Sequence, residues 1–148
     1  MNLPEYKFSF REKDGKRFIF DRIRKKYVRL TPEEWVRQNI VTFLISEREV
    51  PEGLISVEKG LVQYGKDFRY DALVVDRNLN PLILIECKAP DIKITDDVFT
   101  QIARYNITLQ VRYFVVTNGL QHYCCEINLE SGTWKFLPDI PHYSSISN

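Results

Sequence analysis

Two apolar runs joined by a short turn place the strongest constraint on how this chain folds. The runs are Ala72–Val75 and Leu82–Ile85, and the segment Asp76–Pro81 between them is rich in turn-forming residues. Strands that are apolar at every position are buried on both faces of a sheet. We therefore expect a hairpin of two central strands with helices packed over it, and 148 residues are enough for one domain of this kind.

A helix start precedes these strands. Thr31 is a good N-cap, Pro32 suits the first helical position, and Glu34 completes a capping box. Apolar residues then recur with a helical period as far as about Ser46. The other expected elements are strands over 54–62, 67–75, 82–87, 111–117, 120–129 and 134–137, a second helix opening at Thr95-Asp96-Asp97, and a frayed tail after Pro141.

The N-terminal segment is strongly basic. Asp14-Gly15 between alternating apolar residues predicts a β-hairpin over 6–21, with a short strand to follow near Tyr27. Residues 7–29 hold ten basic and three acidic side chains, a net charge of +7 in a chain whose total is +1. Such a stretch suits a polyanion. The candidate nucleic-acid contacts are Arg22, Arg24, Lys25, Lys26, Lys66 and Arg69.

A second interpretation of the same segment needs no ligand. The hairpin would pack a face made of its four phenylalanines on the domain, or on another subunit, and its charges would only face water. The four residues are Phe8, Phe10, Phe18 and Phe20. An acidic partner protein is a third possibility, and the sequence leaves all three open.

The cysteines favour a reducing compartment. Cys87, Cys124 and Cys125 are odd in number and show no Cys-x-x-Cys spacing, which is typical of buried free thiols in a cytoplasmic protein. Adjacent residues of a strand point to opposite faces, so Cys124 and Cys125 are expected on different sides of a sheet. Zinc is disfavoured because only His122 and His142 are available as further ligands, and their spacing is unsuitable.

Two further classes are disfavoured by what the sequence lacks. No apolar run reaches the roughly 18 residues of a membrane span. The run Gly60–Lys66 has the spacing Gly-x-x-x-x-Gly-Lys, but Asp67 follows where the phosphate-binding motif needs Ser or Thr, so a nucleotide-driven motor is not expected in this chain.

A pair of carboxylates is the strongest chemical signal. Glu86 and Lys88 end one central strand and, being two residues apart, share a face. If the two strands pair symmetrically about their turn, Asp71 lies opposite Glu86, with the Cβ atoms about 5 Å apart. Two carboxylates this close repel each other unless a cation lies between them, and Mg²⁺ or Mn²⁺ suits them. The alternative is ordinary ion pairing, with Asp71 bound to Arg69 or Arg104 and Glu86 bound to Lys88.

These segments resemble a known family. Residues Arg69–Val75 and Pro81–Pro90 are similar to the metal-binding core of the PD-(D/E)xK nuclease superfamily, and more narrowly to the N-terminal nuclease domain of type I restriction enzyme R subunits. The matching motif residues are Asp71 for the motif Asp, Glu86 and Lys88 for (D/E)xK, Gln101 and Tyr105 for Gln-x-x-x-Tyr, and Thr117-Asn118-Gly119 after the next strand.

The resemblance implies a fold and a chemistry. The fold would be a restriction-endonuclease-like mixed α/β core of order αβββαβ, with residues 1–30 as a β-hairpin extension packed on a nuclease-like domain of residues 31–148. Asp71, Glu86 and the Cys87 carbonyl would hold Mg²⁺, with Mn²⁺ as a substitute. Lys88 would orient or deprotonate the attacking water and Gln101 would position a water, Lys88 or the phosphate. Glu34 matches the place of an additional acid in many relatives, although its capping role is sufficient.

The expected function is Mg²⁺-dependent hydrolysis of DNA phosphodiester bonds. The alternatives are a non-catalytic nucleic-acid-binding or protein-binding module on the same fold. R subunits carry a long ATP-driven motor after the nuclease domain, and this chain has none. It is therefore expected to act alone, as a homodimer or with a partner subunit.

Overall fold

The computed structural model of the protein describes residues 2–57, 60–63, 66–97, 100 and 110–147. The strands in chain order are β1 (Phe10–Lys13), β2 (Lys16–Asp21), β3 (Lys26–Arg29), β4 (Ile55–Val57), β5 (Gly60–Gln63), β6 (Lys66–Arg69), β7 (Ala72–Val75), β8 (Pro81–Cys87), β9 (Tyr113–Thr117), β10 (His122–Ile127) and β11 (Trp134–Leu137). They are accompanied by the helices α1 (Pro32–Arg48) and α2 (Tyr143–Ile146) and by a 3-10 turn at Glu52–Leu54. Asp96, Asp97 and Thr100 are also helical, at the expected start of a second long helix.

A six-stranded mixed sheet of order β11-β10-β9-β8-β7-β4 lies at the centre of the protein. Strand β8 pairs antiparallel with β7 and parallel with β9. All four residues of Leu82–Ile85 are buried. This arrangement confirms the expected pair of central strands and the expected mixed α/β class.

Apolar side chains cover both faces of this sheet. On one face, Ile83 and Ile85 belong to a cluster that includes Ile40 of α1. On the other face, Leu84 belongs to a second cluster, together with residues of β7 and β9. Cys124 lies in the first cluster and Cys125 in the second, as their adjacency predicts. All three cysteines are free and buried.

Helix α1 begins where the capping pattern predicts and ends two residues later than expected. The Thr31 hydroxyl accepts a hydrogen bond from the Glu34 N–H at 3.0 Å, and Pro32 is the first helical residue. The Glu34 carboxylate accepts hydrogen bonds from the side chains of Arg24, Arg37 and Gln38. Glu34 therefore supplies its backbone to the cap, while its side chain serves a different set of contacts.

Two of the expected strands are each divided in the structure. The segment expected over 54–62 contains β4 and β5, and the segment expected over 67–75 contains β6 and β7. Strand β4 pairs with β7 in the central sheet, whereas β5 and β6 form a separate two-stranded sheet. The register is continuous, since Ile55 faces Val74 and Gly60 faces Arg69. One hairpin thus leaves the central sheet part-way along its length, and Asp71 lies at the break.

The N-terminal residues form a three-stranded antiparallel sheet, β1-β2-β3. Asp14 and Gly15 both have positive φ, 53° and 74°, which is the backbone of the tight hairpin turn that their sequence predicts. The turn pairs Phe10 with Ile19 and Arg11 with Phe18.

This register separates the four phenylalanines, because directly paired residues share a face and neighbours alternate. The rings of Phe8 and Phe10 lie 5.4 and 6.4 Å from Trp35 of α1, and Phe18 and Phe20 lie on the other face. A single packing face made of all four phenylalanines was therefore a wrong expectation.

The C-terminal tail is more ordered than its composition suggests. Tyr143 and Ile146 of α2 are buried and join the cluster under α1. The expected fraying after Pro141 is wrong because these two apolar side chains reach the core. Within the described ranges, no helix combines the length and apolar character that crossing a bilayer requires.

Candidate active site

The carboxylates of Asp71 and Glu86 meet at one end of the central strands. Over Ala72–Val74 the register of β7 and β8 is the expected one, with Ala72 opposite Ile85 and Leu73 opposite Leu84. Next to the turn it differs, because a register shift between Val74 and Val75 places Val75 opposite Pro81. One step beyond Ala72 and Ile85, the same pairing places Asp71 beside Glu86. An Asp71 carboxylate oxygen, Oδ2, accepts a hydrogen bond of 2.7 Å from the backbone N–H of Cys87. This bond holds the Asp71 side chain at the end of β8.

Lys88 lies next to these carboxylates. Its Nζ is 3.2 Å from Oε1 of Glu86, and the two side chains are each 32% exposed. The backbone N–H of Lys88 donates to the Thr117 carbonyl at 2.8 Å, which ties the end of β8 to β9. The ion pair expected as the ordinary alternative for Glu86 is therefore present, and it also places an ammonium group at the mouth of the site.

Both carboxylates have raised pKa values. Burial raises the pKa of Asp71, and the Cys87 N–H and the positive charge of Arg37 only partly offset it. Burial and then the charge of Asp71 raise the pKa of Glu86 despite the nearby Lys88. Each carboxyl group therefore favours its proton more than a free carboxyl group does, because burial penalises the charged form more than the nearby N–H group and positive charges stabilise it.

Helix α1 contributes two charged residues that the sequence analysis did not single out. Arg37 is buried, donates to the Asp71 carbonyl oxygen at 3.4 Å, and has Nη1 4.0 Å from Oδ1 of Asp71. The exposed Glu33 raises the pKa of both Asp71 and Glu86 through its negative charge. Their spacing in the sequence could have identified them as neighbours, since residues four apart share one helix face.

Glu34, the acid considered from the family resemblance, belongs to a separate cluster. Its carboxylate binds Arg24 at 2.9 Å and Arg37 at 2.8 Å. Arg24 also binds Asp21, which accepts from the backbone N–H groups of Ile23 and Arg24 as well. These residues have a structural role between the N-terminal sheet and α1.

The other candidate residues are distributed as follows. Gln101, Tyr105 and Arg104 lie outside the described residues, so the structure does not place them. Lys66 and Arg69 are the end residues of β6. Arg22 binds Glu52 at 2.8 Å, Lys25 has a φ of 56°, and Lys26 pairs with Asp21 in the ladder of β2 and β3.

Cys87 contributes to the site through its backbone. Its thiol is buried in the core, and burial raises the pKa of this thiol well above the ordinary value. The thiol therefore stays protonated and is a poor metal ligand. The expected ligand was the carbonyl oxygen of Cys87, which this burial does not affect.

In the part of the chain that the structure describes, no three His, Cys, Asp or Glu side chains are grouped closely enough to hold a metal ion. Two carboxylates with a backbone carbonyl remain, and this donor set fits Mg²⁺, which is usually bound by one or two carboxylates and keeps several waters. It does not fit zinc, which prefers nitrogen and sulfur ligands.

The sequence from the start of α1 to just beyond the last strand matches a known family. The model of the family described as Type I restriction enzyme R protein N terminus (HSDR_N) matches residues 32–141. The chain belongs to this family. Family membership covers the central sheet, α1 and the carboxylate site, and the N-terminal three-stranded sheet lies outside the matched residues.

A solved structure supports the family fold. It is described as a fragment of a putative HsdR subunit of a type I restriction enzyme from Vibrio vulnificus YJ016. The TM-score is 0.52 at 20% sequence identity, and the match covers 72% of this chain and 22% of that one. At this identity the likeness concerns the fold. No curated protein matches the sequence.

Proposed function

We propose that the protein is a Mg²⁺-dependent DNA endonuclease of the PD-(D/E)xK type, which hydrolyses phosphodiester bonds. The observation that carries the proposal is the meeting of Asp71, Glu86 and Lys88 at one end of β7 and β8. The raised pKa values of both carboxylates support it, because two carboxylates that are partly buried close together gain from a cation bound between them. Membership of the HSDR_N family agrees with the same chemistry.

Each residue of the candidate active site would have a distinct role. Asp71, Glu86 and the Cys87 carbonyl would hold Mg²⁺ or Mn²⁺, which when bound polarises a phosphoryl oxygen and makes water more acidic. The Cys87 N–H keeps the Asp71 carboxylate in place. Lys88 would donate hydrogen bonds from its ammonium group to the phosphate or to the attacking water, and would offset negative charge there. Gln101 would position that water, Lys88 or the phosphate.

DNA is the proposed partner, and a second copy of the chain or another subunit is proposed as a further partner. The matched solved chain is much longer than this domain, since only 22% of it is covered. A non-catalytic binding module on the same fold is the competing proposal. The closed ion pair of Glu86 with Lys88 and the contact of Arg37 with Asp71 favour it, because both reduce the need for a metal.

Plasmid nicking separates these two proposals. Supercoiled DNA is incubated with the protein in Mg²⁺, Mn²⁺ or EDTA, and the open-circle product is measured. We expect nicking only with a divalent cation and a loss of at least about 100-fold in Lys88→Ala, the range for removing a group that handles a proton or a developing charge.

Lys135→Ala is the matched control. Lys135 also pairs with a glutamate of the central sheet, Glu126, at 3.5 Å, but on the outermost strand. Its removal should leave nicking unchanged. Nicking that is equal in the wild type and in Lys88→Ala would point to a contaminating nuclease, and no nicking by the wild type would favour the binding module.

A further inference from the structure

The basic N-terminal segment has two kinds of positive side chain. Arg22 and Arg24 are bound within the protein, to Glu52 and to Asp21 with Glu34. The other basic side chains of the segment are exposed. Among the described residues, no carboxylate lies within ion-pairing distance of Lys7, Arg11 or Arg29.

The register of the sheet brings these charges to one face. Arg11 faces Phe18, which in turn faces Arg29, so these three side chains form a row across β1, β2 and β3. The next row contains Phe20 and Tyr27. We call these five residues, with Ser9 and Lys7, the aromatic–basic face.

The acidic residues of the segment lie elsewhere. Glu12 pairs with Arg17 on the opposite face, beside the pair of Phe10 and Ile19. Asp21 is buried against Arg24, and Asp14 is in the hairpin turn. The aromatic–basic face therefore has positive side chains with aromatic rings between them, and none of these three acidic residues lies on it.

The rings on this face are held in defined positions. Tyr27 packs edge-to-face against Phe20 at 5.2 Å, and its hydroxyl is 2.7 Å from the Ser9 hydroxyl. The Arg11 guanidinium lies 4.1 Å from the centre of the Tyr27 ring. Phe20 remains 37% exposed, although an apolar ring of this size is usually buried.

A groove adjoins the exposed ring. Phe20 lines it together with Lys7, Ser9 and the ion pair of Arg22 with Glu52, and Gln38 of α1 also lines it. Its volume is about 430 Å³, within the usual range for a small-molecule site. A planar group resting on Phe20 would thus lie beside the cationic side chain of Lys7.

We propose that the aromatic–basic face binds single-stranded DNA, with a base stacked on Phe20 and phosphates bound by Lys7, Arg11 and Arg29. Aromatic rings flanked by cations bind single strands because each base offers a flat face and each phosphate a negative charge. In a duplex the base faces are covered by their neighbours, so a stacking site selects unpaired strands. The choice of DNA over other polyanions rests on the proposed nuclease function. The positions of the exposed ring and of the cations around it are observed independently of that function.

Fluorescence anisotropy in EDTA tests the proposal without cleavage. The probes are a labelled oligothymidylate of about 16 nucleotides, a duplex of the same length, and labelled polyglutamate. We expect the single strand to bind at least about tenfold more tightly than the duplex, because a stacked base contributes to the single strand alone. Equal affinity for the duplex, or tighter binding of polyglutamate, would overturn the proposal, the latter in favour of an acidic protein partner.

Substitutions of Phe20 locate the site. Phe20→Ala should weaken single-strand binding about tenfold, the usual effect of removing one stacking ring. Phe20→Leu retains apolar volume and should weaken binding similarly, so a folding defect in the alanine variant would not hide the result. The control is Phe136→Ala, since Phe136 is 53% exposed on β11, in the other sheet. Wild-type affinity in both Phe20 variants would contradict the stacking site.

The salt dependence tests the charges. Replacing both Arg11 and Arg29 with Gln should flatten the slope of log affinity against log salt by up to about 1.4, at roughly 0.7 for each phosphate contact with a single strand. The double change Arg77→Gln with Lys135→Gln removes the same net charge outside the N-terminal three-stranded sheet and should leave the slope unchanged. An equal change in both pairs would show a general charge effect and contradict a site on this face.

The outcome is independent of catalysis. If nicking is absent but the Phe20 effect is present, the nuclease proposal fails and the binding face stands. If nicking is present but the Phe20 variants bind normally, the binding face fails alone.

Discussion

The protein contains two clusters that each hold a pair of carboxylates, and they are in opposite electrostatic states. In the first, Asp21 and Glu34 are buried with Arg24 and Arg37, so two negative charges meet two positive ones. Burial raises the pKa of Asp21, but hydrogen bonds and charge from Arg24 outweigh it and leave that pKa lowered.

In the second cluster, Glu86 pairs with Lys88 at 3.2 Å, and Asp71 has only Arg37 within ion-pairing distance, at 4.0 Å, among the described residues. Burial raises both pKa values, the charge of Asp71 further raises that of Glu86, and the negative charge of Glu33 raises both. The side chains of Asp71 and Glu86 are 25% and 32% exposed, so solvent and ligands reach them.

The difference shows how similar residues take different roles. A carboxylate pair that is neutralised inside the protein stabilises the fold, whereas a pair that is under-compensated and open to solvent is suited to bind a cation. Arg37 connects the two clusters because it bonds to Glu34 and also contacts Asp71. The structural cluster therefore positions one side of the candidate active site.

The largest effect is expected from neutralising the open pair. Asp71→Asn and Glu86→Gln should each lower metal-dependent nicking by at least about 100-fold, since each removes a proposed ligand. Neither should lower the melting temperature in EDTA, because one of two repelling charges is lost. Glu34→Gln is the contrasting change and should lower the melting temperature. If Asp71→Asn destabilises the protein as much as Glu34→Gln does, Asp71 is structural.

The next effect concerns the stability of the closed cluster. Arg24→Ala leaves Asp21 and Glu34 with less positive charge, and the free energy of unfolding should fall by roughly 3 kcal/mol, the low end for a broken buried pair because Arg24 is 18% exposed. For a chain of this size the melting temperature should fall by about 6–12 °C.

Arg22→Ala is the matched control, since its pair with Glu52 is 42% and 46% exposed. Such a pair contributes at most about 1 kcal/mol. Both variants are compared by thermal unfolding at low salt. Equal losses in the two would mean that the Arg24 cluster is no more important than a surface pair.

A smaller effect is expected from metal addition. Binding to Asp71 and Glu86 should stabilise the folded protein by about 2.7 kcal/mol at a hundredfold excess of Mg²⁺ or Mn²⁺ over its Kd. The melting temperature should rise with millimolar cation, and the rise should disappear in Asp71→Asn and persist in Arg24→Ala. A wild-type melting temperature that millimolar Mg²⁺ and Mn²⁺ leave unchanged would count against a metal site.

The smallest effect is the pH dependence of the closed cluster. The pKa of Asp21 is lowered in the folded protein, so its stabilising effect is present above its unfolded pKa of about 4 and is lost as the pH falls through the folded value. Asp21→Asn should therefore lower the melting temperature at pH 7, and the difference from the wild type should shrink near pH 3. A difference that persists unchanged at pH 3 would show that the charge of Asp21 is not responsible.

Several features could be predicted because their signals are local. The two apolar runs and their short connection predict the pairing of Ala72 with Ile85 that brings Asp71 beside Glu86, and the cap at Thr31 determines where α1 begins. The bond from the Cys87 N–H to Asp71 follows from the same register. In these cases the responsible residues are a few positions apart or joined by one short turn.

The amino-acid sequence by itself determined the central hairpin, the capped helix and the pairing of the two site carboxylates, because strand and helix periods and turn chemistry act over short distances along the chain. Only the tertiary structure decided that Arg24 joins Glu34 and that Arg37 reaches Asp71, 34 residues away in the chain. It also decided that Tyr143 is buried and that Phe20 stays exposed. These outcomes depend on how separate elements pack, and packing sets the distances between side chains that no local pattern connects.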